Sequence, residues 1–230
     1  MAMFRLLVVM SIVSFYLLPL AMYDQVAYAE SYVAGQIGLV FPLKATGESE
    51  VSGGSFGGGT SSTNPVFKNS VLGGARLGHY FASIPWFGFS TEVYYSTPNL
   101  AQQALNVTPS GSAPNQIVRL SGQSMRSVIW NNNLEFRLPG AQVEPYGGVG
   151  LAVMFTHLQD GTTGIGRSST SPGLNVYIGG RYWATERVTL FAEWKYNYIP
   201  SLSFDPTGSL VGFSTNFTTI NVAFGAGYHF

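Results

Sequence analysis

The sequence contains no cysteine and little charge, with 11 basic and 11 acidic residues in 230. The first absence excludes a disulfide framework, thiolate chemistry and any Cys-based metal site. The second separates the chain from ordinary soluble domains, where roughly a quarter of residues are charged; here the share is 10%. The charges sum to zero, so nothing favours nucleic acid as a partner. Beyond the N-terminal region no segment holds the 18 or so consecutive apolar residues of a membrane-spanning helix. Histidine is scarce, with three residues. The glycine run Gly53-Gly54-Ser55-Phe56-Gly57-Gly58-Gly59 lacks a strand-to-helix setting and reads as a loop tip, not a phosphate cradle. No cofactor and no metal site is expected.

What is present in excess is glycine, 28 residues, and aromatic side chains, at 14%. Low charge with abundant Gly, Tyr and Phe suits a β-rich protein whose outer surface does not face water. The first 29 residues read as an export signal: Arg5 supplies the positive start, Leu6 to Leu20 the apolar stretch, and Ala27-Tyr28-Ala29 a small-x-small cleavage site. The apolar stretch, about 15 residues, is short of the roughly 20 that span a bilayer. Two regions follow: a cleaved signal over 1–29 and one domain over 30–230.

The mature region alternates with a period of two, the mark of strands with two different faces. From Val188 to Tyr198 one face carries Val188, Leu190, Ala192, Trp194, Tyr196 and Tyr198, and the other Thr189, Phe191, Glu193, Lys195 and Asn197. Eight such segments fall at about 31–42, 69–82, 87–97, 124–137, 143–157, 173–184, 188–199 and 215–230. Each is long enough for the 9–11 residues that a tilted strand needs to cross the hydrocarbon layer, whereas soluble strands usually have about 5–6. Short turns at 83–86, 139–142 and 185–187 alternate with long polar stretches at 43–68, 98–123, 158–172 and 200–214. That alternation is the layout of an outer-membrane barrel with periplasmic turns and extracellular loops. The fold class expected is all-β: an eight-stranded antiparallel transmembrane β-barrel of up-and-down topology, with both termini in the periplasm. Loop 43–68 has room for a small extra hairpin.

Lipid cannot satisfy a charge, so the apolar face must point outward and the polar face must line the lumen. The inward set is then Arg76, Glu92, Glu135, Arg137, Glu144, Arg181, Glu193 and Lys195, four acids and four bases. An eight-stranded barrel is just wide enough to be filled by its side chains, so these charges are expected to pair and plug it; a charged constriction in a narrow pore is the alternative. Inward glycines such as Gly78 and Gly148 make room for the long side chains opposite. Tyr32, Tyr80, Trp86, Trp183 and Tyr228 toward the turns, and Tyr94, Tyr95, Tyr196 and Tyr198 toward the loops, fit two interfacial girdles.

At this point the chain resembles a known family. Val143-Glu144-Pro145-Tyr146-Gly147-Gly148-Val149-Gly150-Leu151 is similar to a glycine-rich strand of small outer-membrane β-barrel domains, the opacity-protein and OmpA-like barrels often labelled porin-family proteins. Gly179-Gly180-Arg181-Tyr182 with Val188 to Tyr196 resembles their penultimate hairpin, and Asn221 to Phe230 their closing strand. The resemblance implies that Tyr228 and Phe230 belong to the C-terminal signal read by the barrel-assembly machinery. It implies a location in the outer membrane of a Gram-negative bacterium, contact with membrane lipid and lipopolysaccharide, and extracellular ligands taken by the loops. Its members include adhesins and structural proteins.

Catalysis on lipid A would need a serine, a histidine and an acid converging on the outer face. By phase His79 faces outward near a short turn, His229 inward at the periplasmic rim, and His157 lies near the outer end of the fifth segment. No His-x-Ser spacing falls on an outward face, and Asp160, the acid nearest His157, falls in the expected loop. The expectation is a non-enzymatic barrel, structural or presenting surface loops, with a narrow pore or a lipid A-modifying enzyme as the alternatives.

Overall fold

The computed structural model describes residues 30–45, 48–53, 58–111, 114–120, 122–207 and 210–230. The expected signal sequence, with Ala27 and Ala29, lies outside the described residues, as does the tip of the glycine run at 54–57. Described residues form only strands, turns and extended connections.

The strands in chain order are β1 (Glu30–Pro42), β2 (Ser49–Ser52), β3 (Gly58–Ser61), β4 (Ser70–Phe81), β5 (Ile84–Ser96), β6 (Gln103–Pro109), β7 (Gln116–Leu120), β8 (Gln123–Arg137), β9 (Val143–Asp160), β10 (Gly166–Trp183), β11 (Val188–Phe204) and β12 (Gly212–His229). Eight of them close a ring in the order β1-β4-β5-β8-β9-β10-β11-β12, and β12 returns to β1 from Tyr32↔His229 to Pro42↔Thr219. All neighbours in the ring are antiparallel. Closure leaves no edge within the ring, so each backbone N–H and C=O finds its partner without water. This is the up-and-down, eight-stranded barrel expected from the alternation.

The ring's outward face is apolar. Ile37, Val71, Ile178, Trp86 and Phe224 are all more than half exposed. Gln36, Leu72, Tyr177 and Ala223, next in sequence to Ile37, Val71, Ile178 and Phe224, are buried, so the period of two separates the two faces.

The connections differ from the expected pattern. The stretches 158–172 and 200–214 are not long loops. β9 and β10 stay paired up to Gln159↔Gly166, and β11 and β12 up to Phe204↔Phe213, past a register shift between Ile199 and Leu202. Above the membrane the outward residues become Ser, Thr, Gly and His because they meet water. The apolar half of the alternation therefore disappears while the hydrogen-bonded ladder continues. The stretches 43–68 and 98–123 hold two short strands each. β2 takes the edge of β12 at Gly212–Ser214, and the sheet runs on through β3 and β6 to β7. That edge is open because β1 pairs with β12 only as far as Pro42↔Thr219, with one further bond from the Leu43 N–H to the Thr218 carbonyl at 2.8 Å, which leaves the upper part of β12 uncovered. The result is two decks: a ring in the membrane, and above it a sheet made of the tall strands β8 to β12 joined to β2, β3, β6 and β7.

Candidate functional site

The lumen is layered, and β8 shows the layers in order. Read upward from the periplasmic turn, its inward residues are Arg137, Glu135, Asn133, Asn131, Ile129, Ser127 and Met125. Charge gives way to amide, and amide to hydrocarbon.

In the charged layer the structure brings together Arg76, Glu92, Glu135, Glu193 and Lys195, each no more than 3% exposed. The Arg76 guanidinium donates to Glu92 through Nε at 2.9 Å and also through Nη2. It donates to Glu193 at 2.6 and 2.9 Å and to Glu135 at 3.3 Å. Lys195 Nζ donates to both Glu92 carboxylate oxygens at 2.8 Å and to Gln36 Oε1 at 2.7 Å, and lies 3.0 Å from Glu193 Oε2. The planar guanidinium fork serves three carboxylates at once, a geometry that a point-charge ammonium cannot reproduce.

This cluster holds three acids against two bases. The third carboxylate is satisfied by phenols. Tyr32 donates to Glu135 at 2.6 Å, Tyr177 donates to the same carboxylate, and Tyr146 donates to Glu193 at 2.5 Å. Tyr32, Tyr80 and Tyr94 are thus corrected from interfacial residues to lumen residues, with exposures of 3%, 0% and 1%. A buried tyrosine needs a partner for its hydroxyl. For Tyr32 the carboxylate layer provides it, and Tyr80 stacks with Tyr32 and lies 3.4 Å from Arg181.

Two glycines make this packing possible. A Cβ on Gly78 would sit 2.2 Å from the Tyr32 ring, and one on Gly148 would sit 2.7 Å from the Tyr177 ring. Gly148→Val is expected to push Tyr177 off Glu135 and to lower the unfolding free energy by about 1–3 kcal/mol. Urea unfolding in lipid vesicles measures this. An unchanged midpoint would show that Tyr177 has other room.

The remaining three expected lumen charges form a separate rim at the periplasmic mouth. Arg137 Nη1 donates to Glu30 Oε2 at 2.5 Å, lies 3.7 Å from Glu144, and stands over the Tyr80 ring at 3.9 Å. Arg181 lies 3.9 Å from Glu30 and against the rings of Tyr32 and Tyr146. His229 Nδ1 is 2.5 Å from Glu30 Oε1, and its Nε2 is 3.0 Å from the Thr189 hydroxyl. Glu30 is the hub of this rim. Alternation along the chain does not single it out, because it stands at the strand's first residue, where the phase is weakest. The expected set of four facing four is therefore corrected to a group of five and a rim organised by Glu30.

Above the charges, Asn131, Asn133, Asn175, Asn197 and Asn221 form an amide layer, each at most 1% exposed. Several of their amide atoms have no hydrogen-bond partner among the described residues, which makes this layer polar enough to hold water. Higher still the lumen is apolar. Leu72, Met125, Ile129, Met154 and Ile199 from the ring pack with Leu105 and Val107 of β6, Val51 of β2, and Phe204, Phe213 and Phe217. Arg167 and Asp160 also point inward here, buried at the top of the hairpin. Arg167 donates to the Val211 carbonyl at 2.8 Å and to Gln123 at 3.1 Å. Both stand in a stretch expected to be loop, where alternation assigns no inward phase.

No protein-family model and no curated protein sequence matches this chain. Solved structures do. The outer membrane protein OprG from Pseudomonas aeruginosa is 14% identical, with 88% of this chain and 96% of that chain covered and a TM-score of 0.60. A major outer membrane protein from Thermus thermophilus is also 14% identical, with 89% and 100% covered and a TM-score of 0.51. The fold is that of a small outer-membrane β-barrel.

A small outer-membrane barrel displays three further features here. Tyr228 and Phe230 of the closing strand are exposed, at 43% and 67%. Trp86 stacks with Phe136 near the turns on the outer face, where an aromatic girdle belongs. Finally, His157 has a serine partner. Its Nδ1 is 3.1 Å from the Ser168 hydroxyl, with both side chains on the outer surface. Spacing within one strand cannot reveal this contact because Ser168 is the cross-strand neighbour. Among the described residues no carboxylate stands within ion-pair distance of His157, and Asp160 points the other way, 2% exposed. The pair lacks the acid that would orient and charge a catalytic histidine.

Proposed function

We propose that this chain is an integral protein of a Gram-negative outer membrane, made as a precursor that is cleaved after Ala29. Its barrel is a closed scaffold that holds a folded extracellular sheet. The observation that carries this reading is the occupancy of the lumen over its whole height. A guanidinium-centred charge cluster fills the lower part, an asparagine layer the middle, and an apolar core the top. A conducting pore needs a continuous polar path, and the apolar side chains that pack across the upper lumen at 0–3% exposure, Met125, Ile129, Met154 and Ile199 among them, oppose one. The apolar belt supports the membrane placement, because an exposed surface of this composition is stable against lipid and not against water. The sheet of β2, β3, β6 and β7, joined to the tall strands, then serves as the surface for non-enzymatic interaction. The exposed Tyr228 and Phe230 side chains, at and just past the periplasmic end of β12, are suited to recognition by the assembly machinery.

Planar-bilayer recording tests the closed state. The refolded wild-type barrel is expected to give no discrete conductance steps. Reproducible single-channel steps would replace the scaffold by the narrow-pore reading.

A further inference from the structure

Of all Asp, Glu, Lys and Arg residues on the eight ring strands, Arg126 alone points outward and is exposed; the others face the lumen or the Glu30 rim. An outward charge is costly in the hydrocarbon layer and cheap only near its edge. The register places Arg126 at that edge. One rung lower stand Val128 and Phe155, directly paired and both facing outward, with the exposed Thr170 beside Phe155 on β10. On its own rung Arg126 pairs with His157, and His157 pairs with Ser168. The next rung up carries Ser124, Gln159 and Gly166. On β8 and β9 the outer face therefore changes from apolar to polar within one rung, at Arg126 and His157, while on β10 the polar surface begins one rung lower, at Thr170.

The row is built rather than incidental. The His157 ring is held by the Ser168 hydroxyl at 3.1 Å and lies over Gly166, where a Cβ would come within 2.8 Å of the imidazole. Its Nε2 makes no hydrogen bond among the described residues, and Arg126 has neither an ion pair nor a hydrogen bond there. A guanidinium at the lipid edge without a carboxylate partner, beside a positioned imidazole and a hydroxyl, is a donor set in search of an anion. Strands stand about 4.8 Å apart, so three side chains on adjacent strands span roughly 10 Å of surface. The guanidinium fork matches two phosphate oxygens, and the imidazole and hydroxyl can bond sugar or phosphate oxygens beside them.

We propose that Arg126, His157 and Ser168 form a binding site for the phosphate-bearing headgroup of an outer-leaflet glycolipid of the lipid A type. The inference rests on the outer-membrane placement. The apolar rung below fixes the source of the anion: the acyl chains lie along Val128 and Phe155 while the phosphate meets Arg126. A free anion would have no use for that belt.

Native mass spectrometry of the refolded, detergent-solubilised barrel tests the site. The probes are bis-phosphorylated lipid A and the same lipid A with its phosphates removed. Arg126→Gln is expected to weaken binding of the phosphorylated form by about tenfold, the worth of one charge-assisted contact. Arg126→Lys should recover most of that loss, Ser168→Ala should lose less than Arg126→Gln, and Arg119→Gln, a cation on the upper sheet, should change nothing. Wild-type protein should bind the dephosphorylated lipid no better than Arg126→Gln binds the phosphorylated one. Equal affinity of wild type and Arg126→Gln, equal affinity for the two lipids, or full displacement by inorganic phosphate would each overturn the proposal. Heat-modifiable mobility on gels separates this failure from failure of the membrane reading: a barrel that folds but does not discriminate refutes only the site.

Discussion

Arg76→Met is expected to be the most damaging single change in the lumen, lowering the unfolding free energy by about 3–5 kcal/mol. Among the described residues Arg76 is the one side chain in ion-pair contact with Glu92, Glu135 and Glu193 together. Without it, three carboxylates at 0–3% exposure would keep their phenol donors but only one base of the cluster, Lys195. Lys195 touches Glu92 and Glu193 but has no contact with Glu135. Removing one member of a buried ion cluster costs more than the cluster contributed, because the stranded charges keep their desolvation penalty. Glu193→Gln should be milder, at about 1–3 kcal/mol, since Arg76 and Lys195 then remain against Glu92 and Glu135. Four acids facing four bases would make every member equivalent, whereas an excess of acid makes the bases the sensitive members. Urea unfolding of the refolded barrel, followed by tryptophan fluorescence, measures both variants. Equal destabilisation by the two substitutions would contradict the asymmetry.

The second large effect is expected in the upper deck. Leu105→Asp should release β2, β3, β6 and β7 from the barrel while leaving the ring closed. Leu105 is fully buried in the upper core, and β6 contributes to the upper sheet but not to the ring. An aspartate there would be surrounded by the hydrocarbon of the upper core, and an unpaired buried carboxylate costs several kcal/mol. That cost exceeds what four short strands of four to seven residues can offset. Trypsin reads the outcome at Arg119 in β7: the wild type should resist cleavage there and the variant should be cut within minutes. The ring should keep its heat-modifiable mobility, because its ladders do not pass through β6. Conductance should stay absent, since the Arg76 cluster still fills the lower lumen. Resistance of Arg119 in the variant would show that the upper sheet does not depend on its core.

These two variants probe opposite ends of one gradient, and the gradient explains how the barrel combines closure with a folded exterior. Charges pair at the level where lipid forbids water outside. Hydrocarbon fills the lumen at the level where water surrounds the strands and the upper sheet needs a core of its own. Ion pairs alone would leave the extracellular sheet without a hydrophobic anchor, and an apolar lumen throughout would leave Arg76, Glu92 and Lys195 without a place.

The ring is legible in the chain alone. Lipid demands an apolar outward face and closed hydrogen bonding, so a period of two reveals the strand number, the phase and the inward direction of Arg76, Glu92, Glu135, Glu193 and Lys195. The β8 gradient from Arg137 to Met125 is legible too, once the inward residues are read in order. The remaining features emerge only on folding. Above the membrane both faces of a strand can be polar, so the periodic signal fails. The tall ends of β9 to β12 and the strands β2, β3, β6 and β7 become visible only through their pairing. Tyr32, Tyr80 and Tyr94 carry an apolar ring with a polar tip and fit a lipid interface or a carboxylate layer equally well; the neighbours that closure brings to them settle it. The rim around Glu30 and the row of Arg126, His157 and Ser168 join residues from different strands. Such a site is set by register, which hydrogen bonds between distant segments fix and local composition does not.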